Sequence, residues 1–269
     1  DRVLIVTPTR ELANQIQEEF KDFAYKTNMY STLCIGGLNI ANQIRYLADN
    51  PEFVIGTPGR LIDLERQGYL NFGKYNAIVL DEVDTMVDMG FINDIKYMIR
   101  KLPQKRLSLF FSATIPAALK EVMSQFLKNP AVISVKTRQS AENVNQSVIK
   151  VGGQDKVELL HDLLIKPEFT RVIIFLRTRW AVNKLAKQLQ DRGFEVASIH
   201  GDKTQSQRSK ALSAFKAGRV RILLATDVVA RGIDIDNVSH VINYDMPESH
   251  EDYIHRIGRT GRAGAEGHA

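Results

Sequence analysis

Asp81, Glu82 and Asp84 stand in the stretch Asp-Glu-Val-Asp, directly after the apolar run Ala77 to Leu80. An apolar run with β-branched members reads as a buried strand of a parallel sheet. Acids at its end place charge at the carboxyl edge of the sheet, where open α/β folds bind ligands. Asp81 suits Mg²⁺, directly or through water, because Mg²⁺ prefers oxygen ligands and keeps several waters. Glu82 suits orienting or deprotonating an attacking water. Taken alone, the same acids also describe a solvated turn after a strand.

Two further groups suit phosphate. Arg256, Arg259 and Arg262 recur every third residue, near one face if helical, and run into a glycine-rich turn. A cluster of guanidinium groups matches phosphate geometry, although a solvated basic face is the other reading. Earlier in the chain, Arg10 follows Pro8-Thr9, Gly36-Gly37 follows an apolar run, and Arg60 follows Thr57-Pro58-Gly59. Helix N-termini and glycine turns expose N–H groups, so a nucleic-acid backbone fits along this edge. Each of these is also ordinary turn chemistry.

The elements that must carry these groups alternate. Strands are expected at Val3 to Val6, Leu33 to Ile35, Phe53 to Ile55, Ala77 to Leu80, Leu107 to Phe111 and Ala131 to Val135. Helical spacing falls between them, for example at Leu12, Ile16 and Phe20, with Thr9 as a cap. Lys136 to Val144 is polar and aperiodic and reads as a linker. Strands are then expected at Ser147 to Val151, Val172 to Phe175, Glu195 to Ile199, Ile222 to Ala225 and Val238 to Tyr244, again with helices between. Such alternation predicts an α/β fold, parallel sheets with helices on both faces.

Composition narrows the class. A chain of 269 residues, 44% hydrophobic and 25% charged, is that of a globular protein of two ordinary domains. Thirty-six basic against 31 acidic residues gives +5, a mild bias toward polyanions. The single cysteine, Cys34, excludes an internal disulfide framework and a Cys-rich zinc site, and fits a reduced, cytoplasmic setting. No apolar run approaches membrane-spanning length, so no membrane partner is expected.

In this order the pieces resemble the DEAD-box RNA helicases of superfamily two. Pro8 to Ala13 is similar to motif Ia, Gly36-Gly37 to the GG motif, and Thr57 to Arg60 to motif Ib. Asp81 to Asp84 resembles motif II, Ser112-Ala113-Thr114 motif III, and Phe175 to Arg179 motif IV. Gln205 and Arg208 match the Gln-x-x-Arg element, Ala225 to Asp234 motif V, and His255 to Arg262 motif VI. The likeness covers nearly the whole chain. It implies two tandem RecA-like domains, residues 1–138 and 139–269, with ATP between them and RNA across both. Asp81 and Glu82 would serve Mg²⁺ and the attacking water, and Asp84, Ser112 and Thr114 would couple nucleotide state to domain closure. Gly232 and Asp234 would approach the nucleotide, and Arg259 and Arg262 the γ-phosphate. RNA would be held by its sugar-phosphate backbone through Arg10, Gly37, Thr57, Arg60, Thr178, Gly201, Arg208 and Thr226, with little sequence preference. A monomer is expected, with protein partners unspecified.

Departures qualify the expectation. Val83 replaces the usual Ala, adding two methyl groups at a packed position; compensation by its neighbours is expected. Arg177 in motif IV is also less usual. No Gly-x-x-x-x-Gly-Lys-Ser/Thr occurs in the chain. The first domain is therefore expected to be truncated at its N-terminus, without a central strand, which exposes sheet edge. The second is expected to lack its last strand and helix. The parent protein is then expected to be an RNA-dependent ATPase that unwinds short duplexes or remodels ribonucleoprotein, and this chain inactive by itself. The alternative is a non-catalytic RNA clamp or adaptor. A DEAH-type or DNA helicase is disfavoured, because motif VI opens with His255 where DEAH-type proteins usually show Gln.

Overall fold

Short apolar strands whose alternate residues are both buried need helices on two sides, and the computed structural model shows that arrangement twice. It describes residues 1–134, 144–227, 235, 237–261 and 266–269. The chain divides into two compact units, Asp1–Ile133 and Ser134–Ala269. The expected boundary at 138/139 lies outside the described residues.

In the first unit the strands are β1 (Val3–Val6), β2 (Ser31–Cys34), β3 (Phe53–Gly56), β4 (Ala77–Leu80) and β5 (Leu107–Phe110). They form one parallel sheet in the order β2-β3-β1-β4-β5. Helices α1 (Arg10–Phe23), α2 (Ile40–Ala48), α3 (Pro58–Arg66), α4 (Val83–Asp88), α5 (Ile92–Lys101) and α6 (Ala117–Phe126) connect or follow them. Strand periodicity sorts the core: Leu4, Val6, Val54, Ile78 and Leu80 join one cluster, while Ile5 and Ile55 pack in another with Ala13, Ile16 and Phe20 of α1. Thr9 caps α1 as expected, accepting from the Leu12 N–H at 3.3 Å.

The expected strand at Ala131 to Val135 is not observed: residues 131–134 carry no strand, and Ile133 is 88% exposed. A strand needs a partner edge for its N–H and C=O groups, and no described strand lies beside this run. No described strand pairs with the outer edge of β5 either, where Leu107, Leu109 and Phe111 are exposed.

The second unit contains β6 (Val144–Asn145), β7 (Val172–Phe175), β8 (Val196–Ile199), β9 (Ile222–Ala225), β10 (His240–Asn243) and β11 (Gly267–His268). Its parallel sheet has the order β6-β11-β10-β7-β9-β8. Helices α7 (Lys156–Leu164), α8 (Arg179–Asp191), α9 (Gln205–Lys216) and α10 (His250–Ile257) accompany it. Val172, Ile174, Ile222 and Leu224 pack with α7 and α8, and Ile173, Phe175, Leu223 and Ala225 with Phe215 of α9. The expected strand at Ser147 to Val151 is not observed; the strand in this region, β6, lies before it at Val144–Asn145. The Ser147 N–H still reaches Ala269 O at 2.9 Å, but the following residues pair with no described strand and Val148 is 91% exposed.

One buried charge ties this unit together. Arg256 of α10 forms a bidentate pair with Asp227 at the end of β9, Nε–Oδ1 2.6 Å and Nη2–Oδ2 2.7 Å. Its Nη1 donates to Asn243 Oδ1 at 3.0 Å and to Asp245 O at 2.7 Å, and the guanidinium lies over Phe175, 5.2 Å from the ring centroid. The ends of β7, β9 and β10 are thereby fixed to one helix.

Two imidazoles in the same unit have lowered pKa values. His200, bonded to Asn183 Oδ1 at 3.0 Å, has its pKa lowered by burial and by the Lys203 charge. His240, stacked between Phe169 and His268 at centroid distances of 3.8 and 4.9 Å, is lowered by burial and by His268.

Three outcomes are expected. Leu107→Lys should reduce self-association in light scattering at unchanged circular dichroism, because a lysine blunts a free edge. Arg256→Met should destabilise by about 3–5 kcal/mol in urea unfolding, since it strands the Asp227 carboxylate. Unfolding lets both histidines return toward the ordinary value of 6.5, so protons are taken up. Their contribution is complete above that value and is lost as pH falls through it. The urea midpoint should therefore drop between about pH 7.5 and about pH 5.5, and drop less in His240→Phe.

Candidate functional site

The β4 ladder runs on into the first acid, whose N–H donates to Val6 O of β1 at 3.0 Å. Asp81 Oδ1 then accepts the Glu82 N–H at 3.0 Å. Glu82 takes the left-handed conformation, φ 50° and ψ 54°, and starts α4. For a residue with a Cβ this costs about 1–2 kcal/mol, and such costs concentrate at functional sites. The corner corrects the reading of a solvated turn: Val83, Asp84, Thr85 and Met86 are all buried within α4, a helix the sequence did not announce. Val83 belongs to the main core cluster with Met86, Leu119 and Val122, and its N–H donates to Phe111 O at 3.0 Å. Its extra methyl groups are thus absorbed by apolar packing.

Asp84, 4% exposed, is the hub of the site. Its Oδ1 accepts the Thr85 N–H at 3.0 Å. Its Oδ2 accepts the Thr114 N–H at 2.8 Å and the Thr114 hydroxyl at 3.0 Å. Ser112 Oγ accepts the Asp84 N–H at 3.2 Å and donates to Thr114 O at 2.6 Å. The three residues expected to act together are therefore joined directly, across the ends of β4 and β5.

Burial pushes the Asp81 carboxyl above its usual range, and the Asp84 charge adds to this, partly offset by the Glu82 N–H. A hard divalent cation would relieve both effects, so the donor set fits Mg²⁺. Among the described residues no group of three or more His, Cys, Asp or Glu could form a metal cage.

The sheet order separates the first unit's groups. Gly37, Thr57, Arg60 and Arg10 follow β2, β3 and β1, while Asp81, Glu82, Asp84, Ser112 and Thr114 follow β4 and β5. Gly37 has φ 79°, a conformation that favours glycine. Gly36, the other member of the expected glycine pair, serves a different purpose. A Cβ there would stand 2.8 Å from Arg10 Nη2, so its absence admits the guanidinium. Thr57 starts α3 without using its side chain as a cap. Arg60 pairs with Asp63 at 3.6 Å, and its Nη1 is buried with no hydrogen-bond partner among the described residues, a donor left for an anion.

In the second unit Thr178, Gly201 and Thr226 follow β7, β8 and β9, which adjoin in the sheet. Thr178 Oγ1 caps α8 by accepting the Ala181 N–H at 3.1 Å, and its own proton stays free to donate. A Cβ on Gly201 would meet nothing within 4 Å, so the backbone there is open to close approach. The Thr226 N–H donates to Ile199 O at 3.4 Å. Arg208 is only 7% exposed, deeper than an open phosphate contact requires. The expected arginine face is also modified. Arg256 alone lies in α10, which ends at Ile257, and it is spent on Asp227. Arg259 follows the helix end and donates from Nε to His255 O at 3.2 Å. Gly232, Asp234 and Arg262 lie outside the described residues. The role of Arg256 was missed because a spacing of three cannot tell a buried arginine from an exposed one.

Known proteins share this arrangement. The DEAD/DEAH box helicase family model matches residues 1–122, and the helicase conserved C-terminal domain model matches residues 155–264. The chain is 42% identical over its full length to the ATP-dependent RNA helicase CshA of Listeria monocytogenes, covering 52% of that protein. It is 43% identical over 96% of its length to the RNA helicase CrhR of Synechocystis, covering 53% of it. The chain thus spans about half the length of these curated relatives. Among solved structures, S. cerevisiae Dbp5 bound to RNA and ADP BeF3 superposes with a TM-score of 0.85 at 32% identity, over 100% of this chain and 70% of that one. Two parallel-sheet units of this RecA-like kind, matched end to end by such relatives, make the chain a member of the DEAD-box RNA helicase family.

Proposed function

We propose that the protein of which this chain is part is an RNA-dependent ATPase that locally unwinds short RNA duplexes or remodels ribonucleoprotein, acting in the cytoplasm. The observation that carries the reading is the hydrogen-bonded corner at the ends of β4 and β5. It holds Asp81 and Glu82 beside the buried Asp84–Ser112–Thr114 network. Relatives named as ATP-dependent RNA helicases support it.

Glu82 orients the attacking water and receives its proton. Asp81 would hold Mg²⁺ through oxygen, directly or through water, and the ion would supply neutralisation of phosphate charge. Asp84, Ser112 and Thr114 form a relay: displacement of either strand end must stretch the bonds at Asp84. Gly232 and Asp234 contact the nucleotide, and Arg259 and Arg262 stabilise charge on the transferred phosphoryl group. Arg10, Gly37, Thr57, Arg60, Thr178, Gly201, Arg208 and Thr226 hold the RNA backbone, so binding weakens as salt rises.

For the 269-residue chain by itself a second reading is favoured by one fact: no Gly-x-x-x-x-Gly-Lys-Ser/Thr is present in it. Without that phosphate cradle it acts as an RNA clamp without turnover.

Glu82→Gln in the full-length protein should lower RNA-stimulated ATP turnover by about 10²–10⁴-fold while RNA affinity is kept. Unchanged turnover would remove Glu82 from the chemistry. The 269-residue chain should bind single-stranded RNA yet release no phosphate above background. RNA-stimulated release by it, lost in Glu82→Gln, would sink the clamp reading.

A further inference from the structure

Trp180 is the single tryptophan of the chain, and it is 69% exposed. It is the second residue of α8, whose buried face is Val182, Leu185, Ala186 and Leu189. The indole therefore plays no part in the core. It stands two residues beyond Thr178, at the sheet edge where β7, β8 and β9 deliver Thr178, Gly201 and Thr226. Arg179, its neighbour, is ion-paired with Asp202 in the loop after β8, which fixes the start of α8 against that loop. One turn further on, Lys184 places its ammonium 5.1 Å from the indole centroid. A large exposed aromatic ring with a cation over it thus sits at the start of the helix after β7, and the loops after β8 and β9 deliver Gly201 and Thr226 to the same edge of the sheet.

This combination differs from what a purely backbone-binding surface needs. Backbone contacts require donors and positive charge but no π-face. An exposed ring flanked by cations is what single-stranded nucleic-acid surfaces use to stack a base while neutralising the adjacent phosphate. We propose that Trp180 stacks on an unpaired nucleobase of bound RNA while Lys184 meets the neighbouring phosphate. The second unit then senses whether a base is present and free to stack, in addition to the sugar-phosphate chain. The inference rests on the RNA reading above. Its ligand class is single-stranded RNA, with purines, whose π-faces are larger, held more tightly than pyrimidines.

With one tryptophan, intrinsic emission reports on this position alone. The 269-residue chain is titrated with an oligoadenylate dodecamer and with an abasic oligomer of the same length, following tryptophan emission and the anisotropy of labelled RNA together. Quenching by oligoadenylate and not by the abasic oligomer is expected. Trp180→Ala should weaken oligoadenylate binding about tenfold with an unchanged salt slope. Trp180→Phe should restore most of that loss, which a folding defect would not allow. Binding seen by anisotropy with emission unchanged and Trp180→Ala at wild-type affinity would overturn the stacking proposal and leave the RNA reading standing. Absence of RNA binding at low salt would overturn the RNA reading itself, and this proposal with it.

Discussion

Parallel strand pairing is the constraint on which the rest of the molecule depends. Strands that pair in parallel must be joined by crossovers, so every strand of a unit delivers its C-terminal end to the same edge. In the first unit the matched registers of β1 with β3 and β4 bring Thr7, Thr57 and Asp81 level across the sheet. No single interaction gathers the acids, the glycine pair and the arginines into neighbouring positions. The ladder does, and the helices pack behind it because both sheet faces are apolar.

Each unit then secures its functional edge with one buried charge. In the first the charge is the Asp84 carboxylate, satisfied by two N–H groups and a hydroxyl. In the second it is the Arg256 guanidinium, satisfied by Asp227, Asn243 and a carbonyl. Buried charges contribute little net stability and are costly to break. Their value is geometric: each joins the ends of adjacent strands through directed hydrogen bonds.

Much of this was legible in the sequence because it rests on local pattern. Apolar runs of four or five residues gave the central strands, and helical spacing with Thr9 gave α1 and its cap. The acids at the end of β4 followed from the same logic. What pattern does not encode is the identity of the partner. Ala131 to Ser134 has the composition of a strand and forms none, and Ser147 to Val151 forms none either, its one ladder-like bond being from the Ser147 N–H to Ala269 O. Arg256 reads like its neighbours until burial separates it from them. The left-handed backbone at Glu82 has no residue-level signature, since the strain exists only once β4 and α4 are both in place.

Under the role proposed for Glu82, that strain makes position 82 a place where stability and chemistry pull in opposite directions. Glycine, or to a lesser degree asparagine, would sit in the corner more comfortably than glutamate does. Genetic drift there runs downhill in conformational energy toward a chain that folds better and has lost its acid. A pseudoenzyme descended from this fold would therefore need no compensating change elsewhere. Persistence of glutamate at the corner in a lineage would itself be a record of selection for its carboxylate.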